Sequence, residues 1–176
     1  IFAVCSAVVI LQLLVFTSCK SPKASTVNEE STSSNADSLI AYLERTPCFG
    51  KCPYYSIRIY KSGYVVYEGK RDVDKIGRFQ TMLNQDAIKE LGQFALNSSF
   101  FELANEYRNP HLTDFPTIYI EVNYAGKKKK ITHYDASPPD TLVNMENFID
   151  ALFSESTKWE LHPLQDLKDW LFNIIV

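Results

Sequence analysis

Ile118, Ile120, Val122 and Tyr124 alternate with Thr117, Tyr119, Glu121 and Asn123, so an extended segment here has one apolar face and one polar face. Such a strand must rest its apolar face on a core. Ala125-Gly126-Lys127 supplies a turn and Lys128 to Tyr134 the return strand, which makes an antiparallel hairpin. A second hairpin is written earlier. Tyr55, Ile57 and Ile59 alternate with Ser56, Arg58 and Tyr60, Ser62-Gly63 turns the chain, and Tyr64 to Gly69 returns, rich in Val and Tyr. Leu39 to Arg45 reads as a first strand. Asp72 to Met82, with poorer alternation, reads as an extension of the same sheet.

The period changes at Gln85, after which Ile88, Leu91, Phe94 and Ala95 fall on one helical stripe behind Asn84, a suitable N-cap. Ser99-x-x-Glu102 has the spacing of a capping box opening a short second turn, with Phe100, Phe101 and Leu103 sealing the core edge. A loop from Tyr107 to Pro116 follows. Ser137 is the expected cap of a second helix whose first turn holds Pro138, Pro139 and Asp140, and whose buried face is Leu142, Met145, Phe148, Ile149 and Leu152. The order strands, helix, strands, helix predicts an α+β domain, an antiparallel sheet with two main helices packed on one face.

Outside that domain the composition shifts twice. Ile1 to Phe16 is apolar except for Ser6 and Gln12 and ends in Phe16-Thr17-Ser18-Cys19. An apolar core followed by small residues and a cysteine reads as a bacterial lipoprotein signal peptide over residues 1–18, with Cys19 as the lipidated residue. The alternatives are an ordinary cleaved signal or a retained anchor, though a spanning helix needs about 20 apolar residues. Residues 19–37 are the acylated cysteine and a polar stretch too poor in apolar side chains to offset its ordering entropy, hence a tether. Residues 38–159 then make one domain. In residues 160–176 Leu164, Leu167, Trp170, Leu171, Ile174 and Ile175 predict an amphipathic helix docked on it, or alternatively one offered to a partner or membrane surface. The expected location is the bacterial cell envelope, lipid-anchored at the outer membrane or facing the periplasm. A net charge of −3 gives no electrostatic case for nucleic acid.

With Cys5 in the signal and Cys19 acylated, Cys48 and Cys52 are left, and in an oxidising compartment they invite a disulfide around Phe49-Gly50-Lys51. Gly50 can adopt a positive φ to close the loop, and the loop entropy removed is worth about 2 kcal/mol. Redox use is the alternative. Exchange sites of the thioredoxin kind have two intervening residues at a helix start, whereas here there are three between strands. A zinc site would need further ligands.

Glu44-Arg45-Thr46-Pro47-Cys48-Phe49-Gly50-Lys51-Cys52-Pro53-Tyr54, followed by Ile57-Arg58-Ile59-Tyr60, Ser62-Gly63 and Val66-Tyr67-Glu68-Gly69, resembles the bacterial domain-of-unknown-function family 6438. That family carries a Cys-x-Gly-x-Cys-Pro core and is often found in lipoproteins. The resemblance continues through Phe100-Phe101, Thr113-Asp114-Phe115-Pro116 and Ser137-Pro138-Pro139, about residues 38 to 159. It implies a domain extent and no catalytic residue.

Three groups of residues bear on chemistry. Lys127 to Lys130 reads as a solvated edge that resists aggregation, with attraction of anionic lipid or glycan phosphate as the alternative. His111 with Asp114 and His133 with Asp135 form a metal or acid/base site only if both loops meet, and His133 shares strand parity with Ile131. Glu102, Glu106 and Asp114 near Tyr107 and Phe115 have glycosidase-like types, but loop carboxylates are usually solvated. No catalytic residue, metal or cofactor is expected. The expected function is a non-catalytic binding or interaction module of the envelope. Its candidate binding residues are Phe49, Lys51, Tyr54, His111, Thr113, Asp114, Phe115, His133 and Asp135. Its partners are membrane lipid through acylated Cys19 and an envelope protein, glycan or small ligand. The alternative is an envelope enzyme or redox protein using the His/Asp loops or the Cys48/Cys52 pair.

Overall fold

Residues 37–134, 137–153 and 157–163 are described by a computed structural model. They form an α+β unit with one eight-stranded, mostly antiparallel sheet and two helices. The strands are β1 (Leu39–Arg45), β2 (Tyr54–Tyr60), β3 (Tyr64–Arg71), β4 (Gly77–Met82), β5 (Glu106–Arg108), β6 (Ile118–Tyr124), β7 (Lys127–Tyr134) and β8 (Glu160–Leu161). Their order across the sheet is β5-β7-β6-β1-β2-β3-β4-β8, and every neighbouring pair is antiparallel except β5 with β7.

The two sequence-local hairpins, β2–β3 and β6–β7, are joined through β1. Leu43 lies opposite Ile57 on one side and Ile120 on the other; Ala41 lies opposite Ile59 and Val122. All six are buried, and they share one core with Val65, Ile118 and Ile131. At about 2 kcal/mol for each large aliphatic side chain removed from water, this row is the main stabilising contribution of the sheet. Helices α1 (Gln85–Asn97) and α2 (Asp140–Ala151) contribute Ile88, Leu91 and Ala95, and Leu142, Met145 and Ile149, to the same core. Phe94 and Phe148 stack between them at 4.6 Å.

Asn84 caps α1 as the sequence predicts, its side chain accepting from the Ala87 N–H at 2.8 Å. The helical glycine, Gly92, is explained by proximity. A Cβ there would meet the Tyr124 ring at 2.2 Å, so the missing side chain lets α1 close onto the end of β6. Gly126, at φ 76°, forms with Ala125 the two-residue turn between Tyr124 and Lys127.

Several local expectations are corrected. Ser99 makes no side-chain cap: at φ 58° it is left-handed, a 3-10 turn at Phe100–Glu102 follows, and the Glu102 carboxylate reaches Lys127 instead. Helix α2 starts at Asp140, two residues later than read, because the Pro139 carbonyl takes the first N–H bonds, from Leu142 and Val143. The loop read from Tyr107 begins inside β5, whose parallel pairing beside β7 joins residues too distant in sequence for a periodicity signal. Gly50 does not adopt positive φ. Glu160 and Leu161 pair with β4 as a strand, while residues 164–176 of the expected terminal helix, and the expected signal and tether up to Ala36, lie outside the described residues.

The Gly92 contact is testable. Alanine gains about 1 kcal/mol of helix propensity, whereas overpacking costs about 1 to 3 kcal/mol. Gly92→Ala therefore lowers the urea midpoint, and the same change made in a Tyr124→Leu background raises it. A stabilising Gly92→Ala in the native background would contradict the close approach.

Candidate functional site

Arg45 has the same inward parity as Ala41 and Leu43, but it stands at the end of β1 where the aliphatic row stops. Opposite it in β2 is Tyr55. Glu146 and Asp150, one turn apart on α2, close the arrangement. The Arg45 Nη2 donates to Asp150 Oδ2 at 2.8 Å, its Nε to the Tyr55 hydroxyl at 2.9 Å, and the Tyr55 hydroxyl donates to Asp150 Oδ1 at 2.6 Å. Arg45 Nη1 lies 3.8 Å from Glu146 Oε2, and the other Glu146 oxygen is 2.8 Å from His133 Nδ1.

Glu146 is 3% exposed, so these interactions hold a carboxylate inside the core. Burial opposes the Arg45 charge, but Tyr55 and Asp150 outweigh it and raise its pKa. Burial, reinforced by Asp150, raises Tyr55 well above the ordinary tyrosine range and keeps it a hydrogen-bond donor. The network ties its acids, base and phenol to one another.

Beside it opens a cleft of about 520 Å³, within the size range of ligand pockets. Tyr55, Tyr67, Phe153 and Trp159 line it, and the β3–β4 loop, Asp72 to Lys75, forms its rim. Trp159 lies 5.5 Å from the Tyr67 ring and 5.2 Å from Phe153; Tyr55 stacks on Tyr67 at 5.7 Å. Gly69 sets the rim in place. A Cβ there would meet the Lys75 carbonyl oxygen at 1.8 Å, so only a bare backbone lets the loop fold down over β3. Burial, then Asp74 and Asp150, push the Tyr67 pKa up to about 12.

The disulfide loop borders the same end. Cys48 and Cys52 are joined, with their Cα atoms 5.6 Å apart, Arg71 Nη2 donates to the Cys48 carbonyl at 3.1 Å, and Pro53 lines the cleft. Phe49, at the loop tip, is 90% exposed, and Lys51 is exposed beside it. Tyr54 points away from the core and receives Lys70, whose Nζ is 3.0 Å from its hydroxyl.

The remaining candidates do not join this cleft's lining. His133 is buried with Glu146, a partner the sequence reading did not name. His111, Thr113 and Asp114 are exposed, and Phe115 sets its ring edge against Tyr134 at 6.4 Å. Asp135 lies outside the described residues. Among the described residues no group of three or more His, Cys, Asp and Glu side chains is placed to hold a metal.

The sequence reading missed Arg45, Tyr55, Glu146 and Asp150. Their signal was parity: Arg45 and Tyr55 continue the inward rows of their strands, and Glu146 follows Leu142 by one helical turn.

Removing the arginine leaves two carboxylates without their cation. With Asp150 partly reached by water, Arg45→Ala is expected to cost about 2 to 3 kcal/mol in urea unfolding, and Tyr55→Phe about 1 kcal/mol. Because both hold Asp150, the double variant loses less than the sum; strict additivity would break the network into separate contacts. Tyr67 gives a pH signature. Its folded pKa lies above the unfolded value near 10, so its stabilising contribution is complete below about pH 10 and fades as pH rises to about 12. Tyrosinate absorbance of Asp74→Asn should show this step at lower pH; no movement would remove Asp74 from the cause.

Comparison with curated proteins finds no match. The family described as Domain of unknown function (DUF6438) matches residues 40–153, which run from β1 to just past α2 and contain the ionic network, the disulfide loop and most of the cleft wall. The chain belongs to that family.

Proposed function

We propose that this chain is a bacterial envelope lipoprotein, anchored through Cys19, whose domain is a non-catalytic binding module. The observation that carries the binding reading is the aromatic cleft beside the disulfide loop. It offers ring faces and a polar rim, as recognition sites do, while the nearby acid–base groups are engaged with one another. Apolar faces of a glycan, a peptide side chain or a small ligand would stack on Tyr67 and Trp159, with Phe49 extending the contact surface. In this reading both helices cover the inward face of the sheet, which leaves its end free for the ligand. The anchor is supported by Phe16-Thr17-Ser18-Cys19 behind an apolar run.

Growth with an alkyne-tagged palmitate should label the protein, and Cys19→Ser should abolish the label. Titration of the mature chain with N-acetylglucosamine or an aromatic dipeptide, followed by NMR, should move resonances of Tyr67, Phe153 and Trp159 together. Trp159→Ala should erase the response without unfolding the protein. Labelling that persists in Cys19→Ser would end the anchor reading, and shifts confined to other surfaces would end the assignment of the cleft.

A further inference from the structure

A second cleft, also of about 520 Å³, lies at the opposite end of the sheet. Its walls bring Lys61 from the β2–β3 turn, Lys89 from α1, and Lys127 and Lys128 from the start of β7 around a floor of Ile40, Ile88 and Tyr124. Among the described residues no Asp or Glu lines it. Lys127 and Lys128 are partly neutralised by Glu102 at 3.5 Å and Glu121 at 3.0 Å. For Lys61 and Lys89 no carboxylate partner occurs among the described residues, and both are exposed. A cationic rim over an apolar floor is complementary to a phosphate carried on a hydrocarbon body.

Its position relative to the chain is informative. Ser38, the residue before β1, lines this cleft, so the segment leading back to Cys19 leaves the domain here. The disulfide loop and aromatic cleft lie at the other end of β1, six residues and about 20 Å away. On the anchored reading, the lysine end is the one whose chain connection runs toward Cys19.

We propose that the lysine cleft binds the phosphate head groups of anionic phospholipids in the membrane that carries the anchor. The proposal rests on the anchored reading for the membrane at hand. Its test uses no acyl group, so its failure leaves the Cys19 labelling result untouched.

The core lies wholly within the unit Asp37–Val176, so the chain from Lys20 onward keeps it whole and lacks both the apolar run and Cys19. Sedimentation with phosphatidylglycerol and with phosphatidylcholine vesicles should show binding to the first, lost at high salt, and little to the second. Each lysine near such a surface is worth about fivefold in partition, so Lys61→Glu with Lys89→Glu should lower it at least about 20-fold. Lys51→Glu with Lys75→Glu, at the far end, should leave it unchanged, and circular dichroism should match the native chain throughout. Equal binding to both vesicles, no binding, or equal loss from the far-end pair would overturn the proposal. So would soluble glycerol phosphate binding as tightly as the vesicles, which would mark a site for free phosphate esters.

Discussion

Everything in this domain depends on β1 pairing on both edges. The first strand sits in the middle of the sheet, between β2, its neighbour in sequence, and β6, which follows more than seventy residues later. Each hairpin alone would be marginal in water. Joined through Ala41 and Leu43, they present one continuous aliphatic row that α1 and α2 can share. The entropic cost of closing the long loop to β6 is offset only because that row becomes fully dry.

The same pairing creates the two ends that matter chemically. Where the row finishes at Arg45, polar side chains of inward parity have no aliphatic neighbour and find α2 instead. A buried carboxylate, Glu146, and a half-buried one, Asp150, near one guanidinium would be costly if any hydrogen bond were missing. Tyr55 and His133 supply the remaining partners. The network fixes the end of α2, and with it the approach to Phe153 and Trp159. At the other end β1 gathers lysines from three separate elements. The charge asymmetry along the strand follows from topology and not from the overall balance of −3.

Much of this is legible in the residues. Leu39–Arg45, both hairpins and α1 with its Asn84 cap follow from alternation, period and capping chemistry, which act over a few residues and leave local traces. The elements that escaped reading were those stabilised across the chain. β5 has only three residues and exists because β7 lies beside it, and β8 because β4 presents an open edge. The left-handed Ser99 defeats a capping box whose spacing is correct. Gly92 reads as a flaw in a helix until the Tyr124 ring is seen against it.

The sequence by itself determined the class of structure, the two hairpins, the cysteine pairing and the family, because each is written in neighbouring residues. Its alternation also gave His133 the strand parity of Ile131. Only the tertiary structure decided that His133 meets Glu146, that Arg45 sits among Tyr55, Glu146 and Asp150, and that Lys61 and Lys89 join the β6–β7 hairpin lysines around one cleft. Those partners stand far apart along the chain, and a charge or a ring carries no record in sequence of which distant neighbour will cover it. Strand register supplies that information, since shifting β1 by one residue against β6 would turn Arg45 out to water and leave the carboxylates of α2 without their cation.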